Sequence, residues 1–184
     1  MQRQLETRMR VVRTLERLMQ STPIDKIKVT DLCREADIGR ATFYEYFENI
    51  YAVATWYYSH LLDQSLYLIG EGVDFQTAHV RLFESLLQDR SFFTRAFRSS
   101  DYNSVYNYGN RIIADHYLQI IPHISGKPLS PDEEMHVRLF TAGAAFLTTE
   151  WARNGMEMPP EDMARMCTGA TPEVFACLVT PPSR

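Results

Sequence analysis

Residues 28–47, KVTDLCREADIGRATFYEYF, predict two short helices joined by a tight turn. The first helix carries one apolar stripe at helical spacing, made of Val29, Leu32, Cys33 and Ala36. The stripe is interrupted at Asp37-Ile38-Gly39, where aspartate and glycine tolerate turn geometry. Phe43 and Phe47 follow four residues apart, so we expect both rings to face inward. This is the pattern of a helix-turn-helix, with a polar and aromatic face left over for something outside the fold.

The same stretch resembles the DNA-binding signature of the tetracycline-repressor (TetR) family of bacterial transcription regulators. Ten positions agree in one register without gaps: Val29, Asp31, Leu32, Ala36, Ile38, Arg40, Thr42, Phe43, Tyr44 and Phe47. Upstream, the family's first helix and its connection are matched by Val12, Leu15, Leu18, Met19, Ile24 and Ile27. The resemblance covers roughly residues 8–56, and beyond Trp56 only the lengths and order of the helices resemble the family.

The resemblance implies an all-α fold in two parts. A three-helix helix-turn-helix DNA-binding domain is expected in residues 1–50, and a helical-bundle domain for ligand binding and dimerisation in residues 51–184. Such a protein is a ligand-responsive transcriptional regulator and not an enzyme. Repression is the family's commoner mode, and a homodimer binds double-stranded DNA at a palindromic operator. The residues expected to contact DNA are Lys28, Thr30, Arg40, Ala41, Thr42, Tyr44, Glu45 and Tyr46.

Four positions depart from the family's pattern. Lys28 replaces a Ser or Thr helix cap, Asp37 replaces a turn glycine, and Gly39 replaces a Ser cap. Ile50 replaces a phosphate-binding lysine, and with the acidic Glu45 it predicts weaker non-specific affinity for DNA. Two alternatives therefore stay open. One is a regulator of the same fold that has lost operator binding and acts through a protein partner; the other is a helical-bundle enzyme, which no motif supports.

The composition is that of an ordinary cytoplasmic protein. Apolar residues make up 45% and charged residues 23% of the 184 residues, and no apolar run approaches the roughly 20 residues of a membrane span. The three cysteines are an odd number without a CxxC pair, and the five histidines lack metal-ligand spacing. We therefore expect no disulfide framework, no metal and no cofactor. Nucleotide-binding glycine motifs and the serine-hydrolase motif are also absent from the sequence.

Charge is distributed unevenly along a chain whose formal net charge is −4. Residues 1–40 hold nine of the 19 Lys and Arg but six of the 23 Asp and Glu, whereas residues 51–184 hold ten basic and 15 acidic residues. A basic N-terminal domain suits contact with DNA phosphates. Residues 1–50 are called the head below, and residues 51–184 the body. In the first helix we expect contact with phosphates or the minor groove from Arg3, Arg8 and Arg10, and a solvated face at Arg13 and Arg17.

The rest of the chain predicts helices only. A connecting helix is expected at about residues 50–69, with Asn49 as its N-cap. A later helix is expected to stop before Pro122, because proline cannot donate a backbone hydrogen bond. Ser130 is a strong cap for a helix that runs to about Asn154, since proline and acidic residues follow it.

The aromatic content of the body predicts a small-molecule site. A buried phenol needs a hydrogen-bond partner, so several tyrosines in one bundle suit an apolar cavity with polar handles. The alternative is a solid aromatic core without a cavity. The acidic balance of residues 51–184 favours a neutral or cationic effector that is apolar or aromatic. The expected ligand residues are Tyr58, His60, Gln64, Phe93, Phe97, Tyr102 and Tyr106, with His60 and Gln64 passing the effect to the head.

Small side chains in the helix after Ser130 predict a close contact between helices. Residues 141–145 read Thr-Ala-Gly-Ala-Ala, which lets a second backbone approach closely. A two-fold homodimer through this helix and the one after Pro160 would match the symmetry of a palindromic DNA site. The residues expected in the interface are Thr141, Gly143, Ala144, Phe146, Leu147, Met163 and Met166.

Overall fold

A computed structural model describes residues 2–179, and these residues form helices without a β-strand. The all-α prediction is confirmed; residues 180–184 of the predicted body lie outside the described part. Three short 3-10 turns lie at Ile24–Lys26, Leu66–Leu68 and Glu173–Phe175. The helices are α1 Gln2–Met19, α2 Val29–Glu35, α3 Arg40–Tyr46, α4 Ile50–Leu62, α5 Phe75–Gln88, α6 Arg90–Ala96, α7 Val105–Ser125, α8 Pro131–Arg153, α9 Pro160–Gly169 and α10 Ala176–Val179. None of the helices between residues 2 and 179 combines the length and apolar character that a bilayer crossing requires.

The helix-turn-helix of α2 and α3 packs against α1. Val11, Val12 and Leu15 of α1 are fully buried, as are Leu32 of α2 and Phe43 of α3. The inward orientation predicted for Phe43 is therefore confirmed, and Phe47 at the end of α3 is buried with it. These side chains belong to one hydrophobic core that continues through α4 into the body.

Helix α4 connects the head to the body. Asn49 caps it as predicted, since its side chain accepts a hydrogen bond from the Ala52 amide at 2.9 Å. The helix ends at Leu62 and not near residue 69, which corrects the predicted length. The reason is local: the buried Ser65 hydroxyl donates to the Leu61 carbonyl at 2.6 Å, and a 3-10 turn follows.

In the body, α5 packs along α9 and α7 packs along α8. Ser130 and Glu133 form the predicted capping box at the start of α8. Helix α7 runs through Pro122 to Ser125, so the predicted stop before this proline was wrong. Pro122 removes one backbone hydrogen bond from the last turn, but the helix ends only at Gly126, whose φ of 70° is left-handed.

Head and body meet at a polar contact that joins α1, α4 and the corner between α5 and α6. The Arg13 guanidinium lies 2.6 Å from one carboxylate oxygen of Asp89, and the Tyr57 hydroxyl donates to the other. Arg13 was predicted to lie on a solvated face, and this contact corrects that prediction. Burial and the carboxylate raise the pKa of Tyr57, while the hydrogen bond to Asp89 raises the pKa of Arg13, so both stay protonated.

A second polar contact holds the head from its other side. Asp25 accepts a hydrogen bond from Tyr51 at 3.0 Å and one from Ser99, beyond α6, at 2.6 Å. The Gln20 amide donates to the Ser91 hydroxyl of α6 at 2.8 Å. Together these contacts fix the segment that follows α1 against α4, α6 and the loop after α6.

We predict that Asp89→Asn destabilises the protein by about 1 kcal/mol. The substitution keeps the size of the side chain but removes the charge that Arg13 and Tyr57 share. Asp31→Asn is the matched control, because its ion pair with Arg34 is more exposed, at 42% against 20% for Asp89. The free energy of unfolding, measured in urea, should change by less than about 0.5 kcal/mol in the control; equal losses in both variants would contradict the special role of Asp89.

Candidate functional site

The outward face of α3 is the candidate DNA interface. Arg40, Ala41, Tyr44 and Glu45 are exposed, and Tyr44 presents half of its surface to solvent. Thr42 is partly exposed beside them. Phe43 supports the Tyr44 ring edge to face, with 5.4 Å between centroids. The face therefore combines a cation, a hydroxyl and an aromatic ring on a helix whose other side is anchored in the core.

The start of α2 lies exposed as well. Lys28 occupies the N-cap with extended backbone and makes no capping hydrogen bond through its side chain. Its ammonium group and the exposed Thr30 are thus available to an outside partner. In the turn, Asp37 has a φ of 50°, so aspartate does adopt the left-handed conformation that glycine would favour.

Arg8 and Tyr46 have structural contacts within the protein. The Arg8 guanidinium lies 5.2 Å from the centre of the Tyr46 ring and 5.4 Å from that of Trp56. Cation–π contacts of this kind join α1, the end of α3 and α4. The expectation that Arg8 reaches DNA is therefore corrected, whereas Arg3 and Arg10 are exposed on α1 and keep that prediction.

Ile50 lies in the core with 7% of its surface exposed. Its side chain forms part of the core at the start of α4, so this position does not present an open phosphate contact in need of a lysine. A buried aliphatic side chain offers phosphate no cation, so weaker DNA affinity through Ile50 stays a prediction. Glu45 remains exposed on α3 and is the one acidic group on that face.

The residues predicted to bind a ligand do not form one site. Tyr58, Phe93 and Phe97 are buried and pack on one another, with ring centroids 6.0 to 6.2 Å apart. Tyr102 is 77% exposed, and Tyr106 is partly buried on α7. For Phe93 and Phe97 the structure thus fits the alternative of a solid aromatic core.

His60 and Gln64 contact each other beside the head. The His60 ring stacks on Trp56 at 5.7 Å, and its Nε2 lies 3.0 Å from the Gln64 amide. Gln64 lies beyond the end of α4, which the predicted helix of residues 50–69 had included. The pair touches the ring that holds Arg8, so it lies closer to the head than to the centre of the body.

A cavity of about 30 Å³ lies in the centre of the body, among α4, α5, α7, α8 and α9. Its walls are mostly apolar, and among the predicted ligand residues it includes Tyr58 alone. Its polar wall residues are Tyr58, His79, Tyr117, Thr141, Thr148 and Cys167. Apart from Tyr58 and Thr141, these were not singled out from the sequence, because one or two polar residues per helix carry no recognisable spacing.

His79 and Tyr117 form the polar centre of this cavity. His79 Nδ1 lies 2.8 Å from the Phe75 carbonyl, and its Nε2 lies 3.3 Å from the Tyr117 hydroxyl. Burial lowers the pKa of His79 to about 4 and raises the pKa of Tyr117. Both side chains are therefore uncharged at neutral pH.

An apolar surface covers the outside of α8 and α9. Among the described residues, six of the nine exposed large apolar side chains lie here: Met135, Leu139, Phe146, Leu147, Met158 and Met166. Four of them, Leu139, Leu147, Met158 and Met166, line a groove of about 470 Å³ that includes Gly143 and Ala144. Of the residues predicted for a dimer interface, Thr141 is instead buried inside the subunit, at 2% exposure, whereas Met163 is 6% exposed and lines the groove. The other five, Gly143, Ala144, Phe146, Leu147 and Met166, lie on this α8/α9 face.

Comparison with known proteins identifies the class. Residues 74–171 match the TetR C-terminal family described as "Transcriptional regulator C-terminal region". This match covers more than half of the chain and lies outside the helix-turn-helix stretch that resembles the same family. The chain belongs to the TetR family of transcriptional regulators.

Solved structures of the same fold agree. "Dihydroxyacetone kinase operon activator DhaS" aligns with a TM-score of 0.58 and 20% identity, over 94% of this chain and 96% of that chain. The TetR family repressor AlkX from Dietzia sp. strain DQ12-45-1b, described as implicated in biodegradation of n-alkanes, aligns with a TM-score of 0.51 and 16% identity, over 94% and 97%. No curated protein sequence matches the chain.

We predict that the protein loses stability as pH falls below about 6.5, partly through His79. The pKa of His79 is about 4 in the folded protein and 6.5 in the unfolded chain. Between these two pH values the unfolded chain therefore binds one more proton than the folded protein. The free energy of unfolding should therefore fall by about 2 kcal/mol more between pH 7 and pH 5 in the wild type than in His79→Gln. Replacing the exposed His123 by Gln is the control and should leave the wild-type slope; an unchanged slope in His79→Gln would exclude this source.

Proposed function

We propose that this protein is a ligand-responsive transcriptional repressor that binds a palindromic DNA operator as a homodimer. The observation that carries the proposal is the exposed face of α3, where Arg40, Thr42 and Tyr44 stand on a helix anchored by the buried Phe43. Such a helix fits the major groove, where arginine reads guanine and a hydroxyl or ring contacts other base edges or phosphates.

Electrostatics support DNA as the partner of the head. Lys28, Arg40, Arg3 and Arg10 are all exposed. The acidic excess of the chain lies in residues 51–184, whereas these four basic residues lie in residues 1–40. Binding should therefore depend strongly on salt, because phosphate contacts release counterions.

The α8/α9 face supports a second copy of the chain as the other partner. A two-fold axis would place two copies of the same apolar surface together and remove it from water. Gly143 supports close approach, because nothing in the subunit lies within 4 Å of the position a Cβ would take there. A dimer of this kind would present two α3 helices to two half-sites.

The response to a ligand is assigned to the body. Repression is proposed as the mode of action, with ligand binding releasing DNA; of the two similar structures, DhaS is named an activator and AlkX a repressor. The rival is a regulator of the same fold that acts through a protein partner, and the exposed Glu45 on α3 is the observation that favours it.

We predict that Arg40→Ala and Tyr44→Ala each weaken operator binding by about 5- to 100-fold without changing stability. Both side chains are exposed, so their removal costs contacts with DNA and not with the core. Fluorescence anisotropy with duplexes from the region of the protein's own gene measures the effect at several salt concentrations. Arg81→Ala, an exposed arginine on α5, is the matched control and should bind like the wild type. Wild-type protein that binds none of these duplexes at low salt would favour the rival function.

We predict that Leu147→Glu yields a folded monomer. Leu147 is 49% exposed on the α8/α9 face, so a charge there should separate two copies without disturbing the core. Leu5→Glu is the control, because Leu5 is similarly exposed, at 41%, but lies on α1. Sedimentation should give a dimer for wild type and control and a monomer for Leu147→Glu; a dimer in all three would place the interface elsewhere.

A further inference from the structure

The hydrogen bonds around the body cavity determine which of its wall atoms can still donate a hydrogen bond to a bound molecule and which can accept one. The Phe75 carbonyl can only accept, so the proton of the neutral His79 ring lies on Nδ1. His79 Nε2 is then an acceptor, and the Tyr117 hydroxyl donates its proton to it across 3.3 Å. The Tyr117 oxygen therefore faces its surroundings as an acceptor.

Two threonines on α8 also have hydroxyl oxygens that act as hydrogen-bond acceptors. The hydroxyls of Thr141 and Thr148 each donate to a backbone carbonyl one turn earlier, at 2.8 Å in both cases. Each oxygen keeps lone pairs that can accept a hydrogen bond from a molecule in the cavity. Tyr58 lines the cavity as well, and a phenol hydroxyl can donate one hydrogen bond.

No charged side chain lines the cavity. A carboxylate inside it would lose its hydration without gaining a cation, and an ammonium group would lose its hydration without gaining a carboxylate. A ketone or ether could accept from Tyr58 but would leave the tyrosine and threonine acceptors unpaired. A hydroxyl group can do both, since it donates one hydrogen bond and accepts others.

The cavity also has a thin wall towards the groove on α8 and α9. Phe140, Ala144 and Cys167 line both the cavity of about 30 Å³ and the groove of about 470 Å³. Phe140 is only partly buried, and its ring leans on Phe175 at 4.7 Å. The cavity alone holds about two water molecules, so a larger occupant requires the Phe140 ring to turn towards the groove.

We propose that this cavity binds a small uncharged alcohol or phenol, whose hydroxyl group pairs with Tyr58, Tyr117 and Thr148. The apolar part of the molecule lies against Leu82 and Phe83 and displaces Phe140. This narrows the expected effector from neutral or cationic to neutral with a hydrogen-bond donor. It rests on the proposed function for its regulatory meaning, but the binding itself does not require that function.

Three probes of similar shape test the chemistry: phenol, anisole and benzoate. Isothermal titration and thermal shift at pH 7 should detect binding of phenol, about tenfold weaker binding of anisole, which cannot donate, and no binding of benzoate. No phenol binding, or benzoate binding as tight as that of phenol, would overturn the proposal.

Variants locate the site. Thr148→Val and Tyr117→Phe each remove a wall acceptor with little change in shape, and each should weaken phenol binding about tenfold. Thr149→Val is the matched control, because Thr149 is the neighbouring buried threonine of α8 and does not line the cavity. Phe140→Ala opens the wall and should strengthen phenol binding. Equal phenol affinity in Thr148→Val, Tyr117→Phe and the control, with each folded by circular dichroism, would place the phenol elsewhere and overturn the assignment.

DNA binding is measured in its own experiment, so the proposed ligand class and the proposed function can be refuted independently. Loss of phenol binding with intact operator binding would overturn the ligand class alone. Phenol binding without any operator binding would overturn the proposed function and leave the cavity assignment standing. Phenol that binds and also weakens the operator complex supports both.

Discussion

The carboxylate of Asp89 accepts hydrogen bonds from two different helices at once, one from Arg13 in α1 and one from Tyr57 in α4. It is partly buried, so its two partners offset the loss of hydration that an isolated carboxylate would suffer. Because Asp89 lies at the corner between α5 and α6, this single group ties the head to the body. The Tyr57 ring is in turn stacked on Phe93 at 5.5 Å, so the polar contact rests on the aromatic core of the body.

Three parts of the protein meet along helix α4: the buried core, the Asp89 contact and the body cavity. Ile50 and Val53 belong to the buried core, Tyr57 reaches the Asp89 contact, and its neighbour Tyr58 lines the body cavity. Tyr58 also packs against α7 at Gly109, where a Cβ would come within 2.8 Å of the ring. A molecule that moves Tyr58 therefore acts on the residue next to the one that holds the head, and no long chain of contacts is needed.

The sequence predicted what depends on local spacing. The helix-turn-helix, the inward rings of Phe43 and Phe47 and the cap at Asn49 follow from residues a few positions apart, which helical geometry converts directly into position. The cavity could not be predicted, because His79, Tyr117 and Thr148 come from three helices whose packing the spacing does not contain. Arg8 shows the same limit: from the sequence it was expected to contact DNA, but the fold brings the rings of Tyr46 and Trp56 against it.

The two tryptophans of the chain lie in two different regions, one beside the head and one beside the groove on α8 and α9. Trp56 is placed between the Arg8 guanidinium and the His60 ring, so its environment changes whenever the head shifts on α4. Trp151 is 7% exposed beside the groove on α8 and α9, and its indole nitrogen donates to the Met158 carbonyl at 2.9 Å. The protein thus carries two natural fluorophores in separate places, and removing either one leaves an optical reporter of the other region.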